Sequence, residues 1–253
     1  MISTDKDYHK ALKTLWNEYE QAEHALSESA YELLKRYYAV PKHIGQSDLL
    51  IAGINPDYDG QTYTAGNLCP SVRESLDKGQ GTEGEKRFWN RVWNMVPENY
   101  RDRFNCIDLF GIRETDHDRL LTVKYPSDIC FMAKHLYLTQ QLIENVIQPK
   151  LIVVTDKSAW RYWGFDAEYG CMGYDCKVIR EVKKNIILTE VQGLRTDDFG
   201  KLHMVTPTDD QYERRFALKG TLILFAPYQG TRCPHDQRVT AEDIRQILDN
   251  DCK

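Results

Sequence analysis

Three short stretches of this 253-residue chain hold side chains able to do chemistry. In the first, GINPDY at 53–58, an apolar run stops on an amide, a proline and a carboxylate. Asn55 and Pro56 either edge a site or simply break the strand, since Pro56 fixes its own backbone angle in both cases. Asp57 is either an acid/base group or an exposed turn acid. Tyr58 and Tyr63 can stack on a nucleobase or pack the loop that carries them. The second stretch, DLFGIRETD at 108–116, offers Asp108, Arg113 and Asp116. An ionised Asp108 only accepts, so it suits an exocyclic amine or another cationic group; its alternatives are a salt bridge to Arg113 or a cap. Arg113 and Asp116 suit phosphate binding and orientation, or form a weak surface ion pair. The third stretch, APYQGTR at 226–232, offers Pro227, Gln229, Thr231 and Arg232, the last three able to hydrogen-bond a phosphate.

These stretches need a frame to bring them together. LLIAGI (49–54), FNCIDLFGI (104–112), KLIVVT (150–155) and TLILFAP (221–227) read as strands, LLIAGI being apolar throughout rather than alternating, as in strands buried on both faces. Leu12, Leu15, Trp16, Tyr19, Leu33 and Leu34 are spaced for one or two amphipathic helices near the N-terminus. Helices are also predicted over 83–96, 126–149 and 240–248, and a short one over 156–164 that Asp156 caps and Gly164 ends. KVIREV and NIILTEV form a hairpin or strand pair, followed by a polar insertion at 194–220. The alternation of strand and helix predicts a single α/β domain over 1–253, with helices in 1–44 packed on a 45–253 core. The core is expected to be a three-layer α/β/α sandwich around a central, mainly parallel four-stranded sheet. Ligands of such sheets bind beyond the carboxyl ends of the strands. Residues 53–58, 108–113, 155–156 and 226–232 would therefore meet at one crevice.

Composition narrows the possibilities. A net charge of -5 argues against a general nucleic-acid binder, because phosphate contacts come mainly from Lys and Arg. No apolar run reaches the length of a membrane-spanning helix, and the charged opening MISTDKDYHKALKTLW lacks a signal-peptide core. The seven cysteines include no Cys-x-x-Cys and read as packed, reduced thiols, so a cytoplasmic protein without metal or other cofactor is expected. The scattered histidines form no ligand spacing, and Trp89 and Trp93 are spaced for a helix face rather than a stacking platform.

LLIAGINPDY resembles the first motif of the mismatch-specific branch of the uracil-DNA glycosylase superfamily, through Gly53-Ile54-Asn55-Pro56. The order of elements over 45–250 is similar too, which implies a uracil-DNA glycosylase-like fold. The resemblance implies that Asn55 holds the water that attacks the sugar carbon, while backbone around Gly53 and Ile54 contacts the base. Asp57 replaces the family's glycine and would act as a general base, as a carboxylate does in the uracil-specific branch. Asp108 stands where the family places a base-reading Asn. APYQGTR replaces its His-Pro-Ser loop, with only Pro227 in register. DLFGIRETD is also similar to the middle segment of the uncharacterised DUF1643-like family, with Asp108 for that family's Asn.

The resemblance implies hydrolysis of an N-glycosidic bond, in DNA or in a nucleoside, by an Asn-positioned water. The alternative is a non-catalytic nucleotide- or nucleic-acid-binding protein on the same fold. A third possibility, a hydrolase of small nucleotides, requires Arg113 and Arg232 to converge near Asn55. The expected partner is DNA or a small nucleotide or nucleobase, with no membrane.

Overall fold

The computed structural model describes residues 2–21, 26–79, 83–116, 119, 126–165, 172–194, 218–230 and 232–252. The helices are α1 (Asp5–Gln21), α2 (Glu28–Lys35), α3 (Val72–Asp77), α4 (Glu83–Met95), α5 (Pro126–Leu142) and α6 (Ala241–Asn250). The strands are β1 (Ala39–Pro41), β2 (Leu49–Gly53), β3 (Asn67–Cys69), β4 (Phe104–Asp108), β5 (Leu151–Val154), β6 (Tyr174–Lys183), β7 (Ile186–Leu194) and β8 (Leu222–Phe225). The four expected strands pair in parallel in the order β4-β2-β5-β8. Their apolar runs serve two cores at once. Leu50, Ala52, Ile152, Val154, Ile223 and Phe225 face the core under α1, α2 and α5. Leu49, Ile51, Leu151, Val153, Leu222 and Leu224 face the core under α3, α4 and α6. Each such side chain, once fully buried, contributes roughly 1.5–3 kcal/mol.

The sheet differs from expectation in being six-stranded and mixed. β7 adds antiparallel to β8, and β6 pairs with β7 across a hairpin whose turn residue Asn185 has φ 60°. β7 buries Ile186, Leu188 and Val191 and so extends the sheet, whereas the outer β6 is largely exposed and reads as polar. The long segment after β2 contains β3, paired in parallel with β1, and α3, opened by a Ser71–Glu74 capping box. The insertion at 194–220 lies almost wholly outside the described residues.

Local signals end the elements as predicted. Asp156 caps the 3-10 helix Lys157–Trp163 by accepting from Ser158 N, and Gly164 ends it with φ 83°. Thr240 and Asp243 form the capping box of α6. Trp89 and Trp93 pack against the second core. His135 on α5 is completely buried, and its Nε2 accepts from Gly111 N at 3.1 Å, which fixes the loop after β4. Burial holds this imidazole neutral, its pKa pushed down to about 3. Among the described residues no helix is long and apolar enough to cross a membrane.

Candidate functional site

The ends of β2 and β4 continue as paired loops. Gly53 and Asp108 are register partners, Phe110 N donates to Ile54 O at 2.9 Å, and Glu114 N donates to Pro56 O at 3.0 Å. Gly53 is required here because a Cβ would overlap Asp108 Oδ1. This gives the glycine of the GINP run a physical reason: it makes room for the neighbouring strand's carboxyl.

Asn55 is 8% exposed. Its Nδ2 donates to Glu114 O at 2.5 Å and to Pro56 O at 3.1 Å. Two carbonyl partners fix the amide orientation, since the flipped amide would set oxygen against oxygen. Oδ1 is buried and has no partner. An orphaned buried acceptor is uncommon and marks a place where water or ligand completes the structure.

Asp108 is half-buried, and its carboxyl is pushed up to about 7. Burial is the main cause, followed by the charges of Asp57 and Asp156. The acid form, able to donate as well as accept, is therefore present near neutrality. The salt bridge to Arg113 considered from the sequence does not form, and among the described residues Asp108 has no ion-pair partner. Asp57 is exposed on the turn, and Asp156 is 8% exposed, beyond β5.

Arg113 is a correction to the expected phosphate ligand. It is 3% exposed, and its Nη1 donates to Arg36 O at 3.1 Å and Tyr38 O at 3.0 Å. These carbonyls close the C-terminal end of α2, whose partial negative charge suits a guanidinium. The other side of Arg113 lies over the Tyr63 ring, 3.7 Å from its centroid. Tyr63 also donates to Asp59 Oδ2 at 2.8 Å, and Tyr58 lies under Arg36 at 4.2 Å. Both tyrosines expected to stack on a base thus have a face occupied by an arginine. They clamp the loop after β2 onto the rest of the protein.

Glu114 was missed by sequence reasoning, because an acid between Arg113 and Thr115 reads as a surface charge. It is 3% exposed, pairs with Arg36 at 2.8 Å and Arg119 at 3.2 Å, and accepts from Thr115 N and Asp116 N. Its side chain anchors the carbonyl that holds Asn55.

The loop after β8 also departs from expectation. Gln229 Nε2 donates to Pro227 O at 2.8 Å and Gln237 O at 3.1 Å, while Oε1 accepts from Val239 N at 2.9 Å. It is a loop brace, not a free phosphate ligand. Pro227 is half-buried and its carbonyl serves that brace. Arg232 is exposed, whereas Arg113, which a small-nucleotide hydrolase would need beside it, is committed to the carbonyls of Arg36 and Tyr38; Thr231 lies outside the described residues.

Among the described residues no cluster of His, Cys, Asp and Glu has the arrangement of a metal site. A groove of about 480 Å³ lies between α1 and α5, lined by Ala11, Leu15 and Leu138, and shares no residue with these strand ends. No protein-family model and no curated protein matches the chain. The arrangement at β2, β4 and β5 can hold a water on Asn55 Oδ1, and it can donate or accept a proton at Asp108.

Proposed function

We propose that these strand ends form a nucleobase site at which Asn55 holds a water for hydrolysis of an N-glycosidic bond. One observation carries the reading: Asn55 Nδ2 is locked by two carbonyls while its buried Oδ1 lacks a partner. An amide fixed in this way accepts a hydrogen bond from water and directs the water's lone pair outward. The water oxygen attacks the sugar carbon, the carbon–nitrogen bond breaks, and its electron pair leaves with the base. Asp57 takes the proton from the water, and Asp108 in its acid form protonates the departing base. The resemblance of Gly53-Ile54-Asn55-Pro56 to the uracil-DNA glycosylase motif agrees with this reading.

The charges favour a nucleoside-sized substrate over duplex DNA. Asp57 and Asp156 act together on Asp108, and the net charge of the chain is -5. Carboxylates repel the phosphates that dominate DNA affinity. A second reading, a nucleobase-binding protein without catalysis, is favoured by the loop after β8. There Gln229 is fully engaged and supplies no group to stabilise a leaving base.

The test is chromatographic detection of free base after incubation with uridine, cytidine, adenosine and inosine, and with DNA containing uracil, hypoxanthine or a mismatch. Base release that disappears in Asn55→Ala supports hydrolysis. Binding without release at stoichiometric protein supports the second reading, and neither binding nor release rejects both.

A further inference from the structure

We infer that the base taken by this site carries an exocyclic amine, and that Asp108 reads that group. The inference rests on the nucleobase reading and names its substrate class.

The buried side-chain donors at the strand ends are committed to backbone carbonyls. Asn55 Nδ2 and Arg113 Nη1 each serve two carbonyls. Thr155 Oγ1 donates to Ala52 O at 3.2 Å, Trp160 Nε1 to Ala226 O at 3.1 Å, and Gln229 Nε2 to Pro227 O and Gln237 O. The acceptors left over are Asn55 Oδ1 and the carboxyls of Asp57 and Asp108, which have no cation among the described residues. Asn55 supplies the second, independent observation beside the acids, being more than nine-tenths buried with its acceptor unmatched. A ligand that completes this set must bring donors. An amino-substituted heterocycle does so, because its exocyclic N–H donates to a carboxyl oxygen of Asp108. A carboxylate facing the exocyclic oxygen of uracil or hypoxanthine leaves oxygen against oxygen, a mismatch that polar sites reject strongly.

Ionisation sharpens the choice. Asp57 faces Asp108 from the loop after β2 and Asp156 from the end of β5; the field of Asp108 also reaches Cys106 on its own strand and Tyr8 on α1. With its carboxyl pushed up to about 7, Asp108 is an acid below neutrality and a carboxylate above it. At the exocyclic position the acid, both donor and acceptor, fits an amino or an oxo group alike, whereas the carboxylate fits only the amino group.

The experiment is calorimetric titration of cytidine against uridine, and of adenosine against inosine, at pH 6 and pH 8.5. It uses the full chain and Asp108→Asn, with thermal melting to establish that the variant folds. The expected result is at least a tenfold preference for the amino nucleoside at pH 8.5 that shrinks to within threefold at pH 6. Asp108→Asn, a neutral donor and acceptor at every pH, should lose this pH dependence. Equal or tighter binding of the oxo nucleosides at pH 8.5 overturns the inference, as does a pH-dependent preference that survives in Asp108→Asn. Selective binding without base release rejects hydrolysis while leaving the inference standing, and no binding of any nucleoside rejects the nucleobase reading and this inference together.

Discussion

The loops on the β2–β4 side and the β8 loop end the same sheet but use their polar groups in opposite ways. Beyond β8, Gln229 meets its donors and its acceptor inside its own segment, at Pro227, Gln237 and Val239. Beyond β2 and β4, Asn55 is equally well placed yet has one atom unmatched, and Asp108 sits half-buried without a counter-charge. Satisfied polar groups lock a loop, whereas unmatched ones cost folding energy that a ligand or water can return. Both loops look polar in sequence, and the pattern of unmet valences separates them.

The largest effect expected on this contrast comes from Glu114. Glu114→Ala strips Arg36 of its buried partner and loosens the carbonyl that holds Asn55. A loss of about 3–5 kcal/mol is expected in urea unfolding. A change under 1 kcal/mol would mean that the β2–β4 side is not held as described.

Next is the paired comparison of Asn55→Ala with Gln229→Ala. Asn55→Ala should lower the rate of base release by about 100- to 1,000-fold, the usual loss when a fixed polar group at a reacting centre is removed. Gln229→Ala should keep the rate within about threefold while costing roughly 1–3 kcal/mol of stability, because it leaves buried loop groups unpaired. The reverse pattern would exchange the roles of the two sides.

The smallest effect is the pH dependence from Asp108. Its folded pKa, about 7, stands above the ordinary carboxylate value of 3.8, so the folded protein binds the extra proton between these values. Its contribution to stability is then complete below about pH 4 and lost as pH rises through 7. Asp108→Asn should therefore raise stability by about 2 kcal/mol at pH 8 and leave it nearly unchanged at pH 4. Thermal melts of both proteins at the two pH values measure this, and a variant no more stable at pH 8 would place Asp108 in a less confining site than the strand pairing indicates.

The parallel core was legible because β2, β5 and β8 are apolar runs, a local pattern that follows from burial on both faces, and β4 carries Phe104, Cys106 and Ile107 beside them. The hairpin β6–β7 was legible as a hairpin but not as sheet, because the exposed β6 has no apolar period and its place is set by β8, far along the chain. Asn55 stood out through the Gly-Ile-Asn-Pro turn. Glu114 did not, because its importance lies in Arg36, 78 residues away. Arg113 and Tyr63 were read as ligand groups because a sequence displays an arginine and a tyrosine without showing that they rest on each other.

By itself, then, the sequence determined the apolar strands, the caps at Asp156 and Thr240, and the placing of Asn55 and Asp108 at strand ends. Those features follow from side-chain period and turn chemistry within a few residues. The tertiary structure alone decided which polar groups are satisfied: Gln229 and Arg113 inward, Asn55 Oδ1 and Asp108 unmatched. Burial and hydrogen-bond partnership depend on segments distant in the chain, and these set both the raised pKa of Asp108 and the orientation of the Asn55 amide.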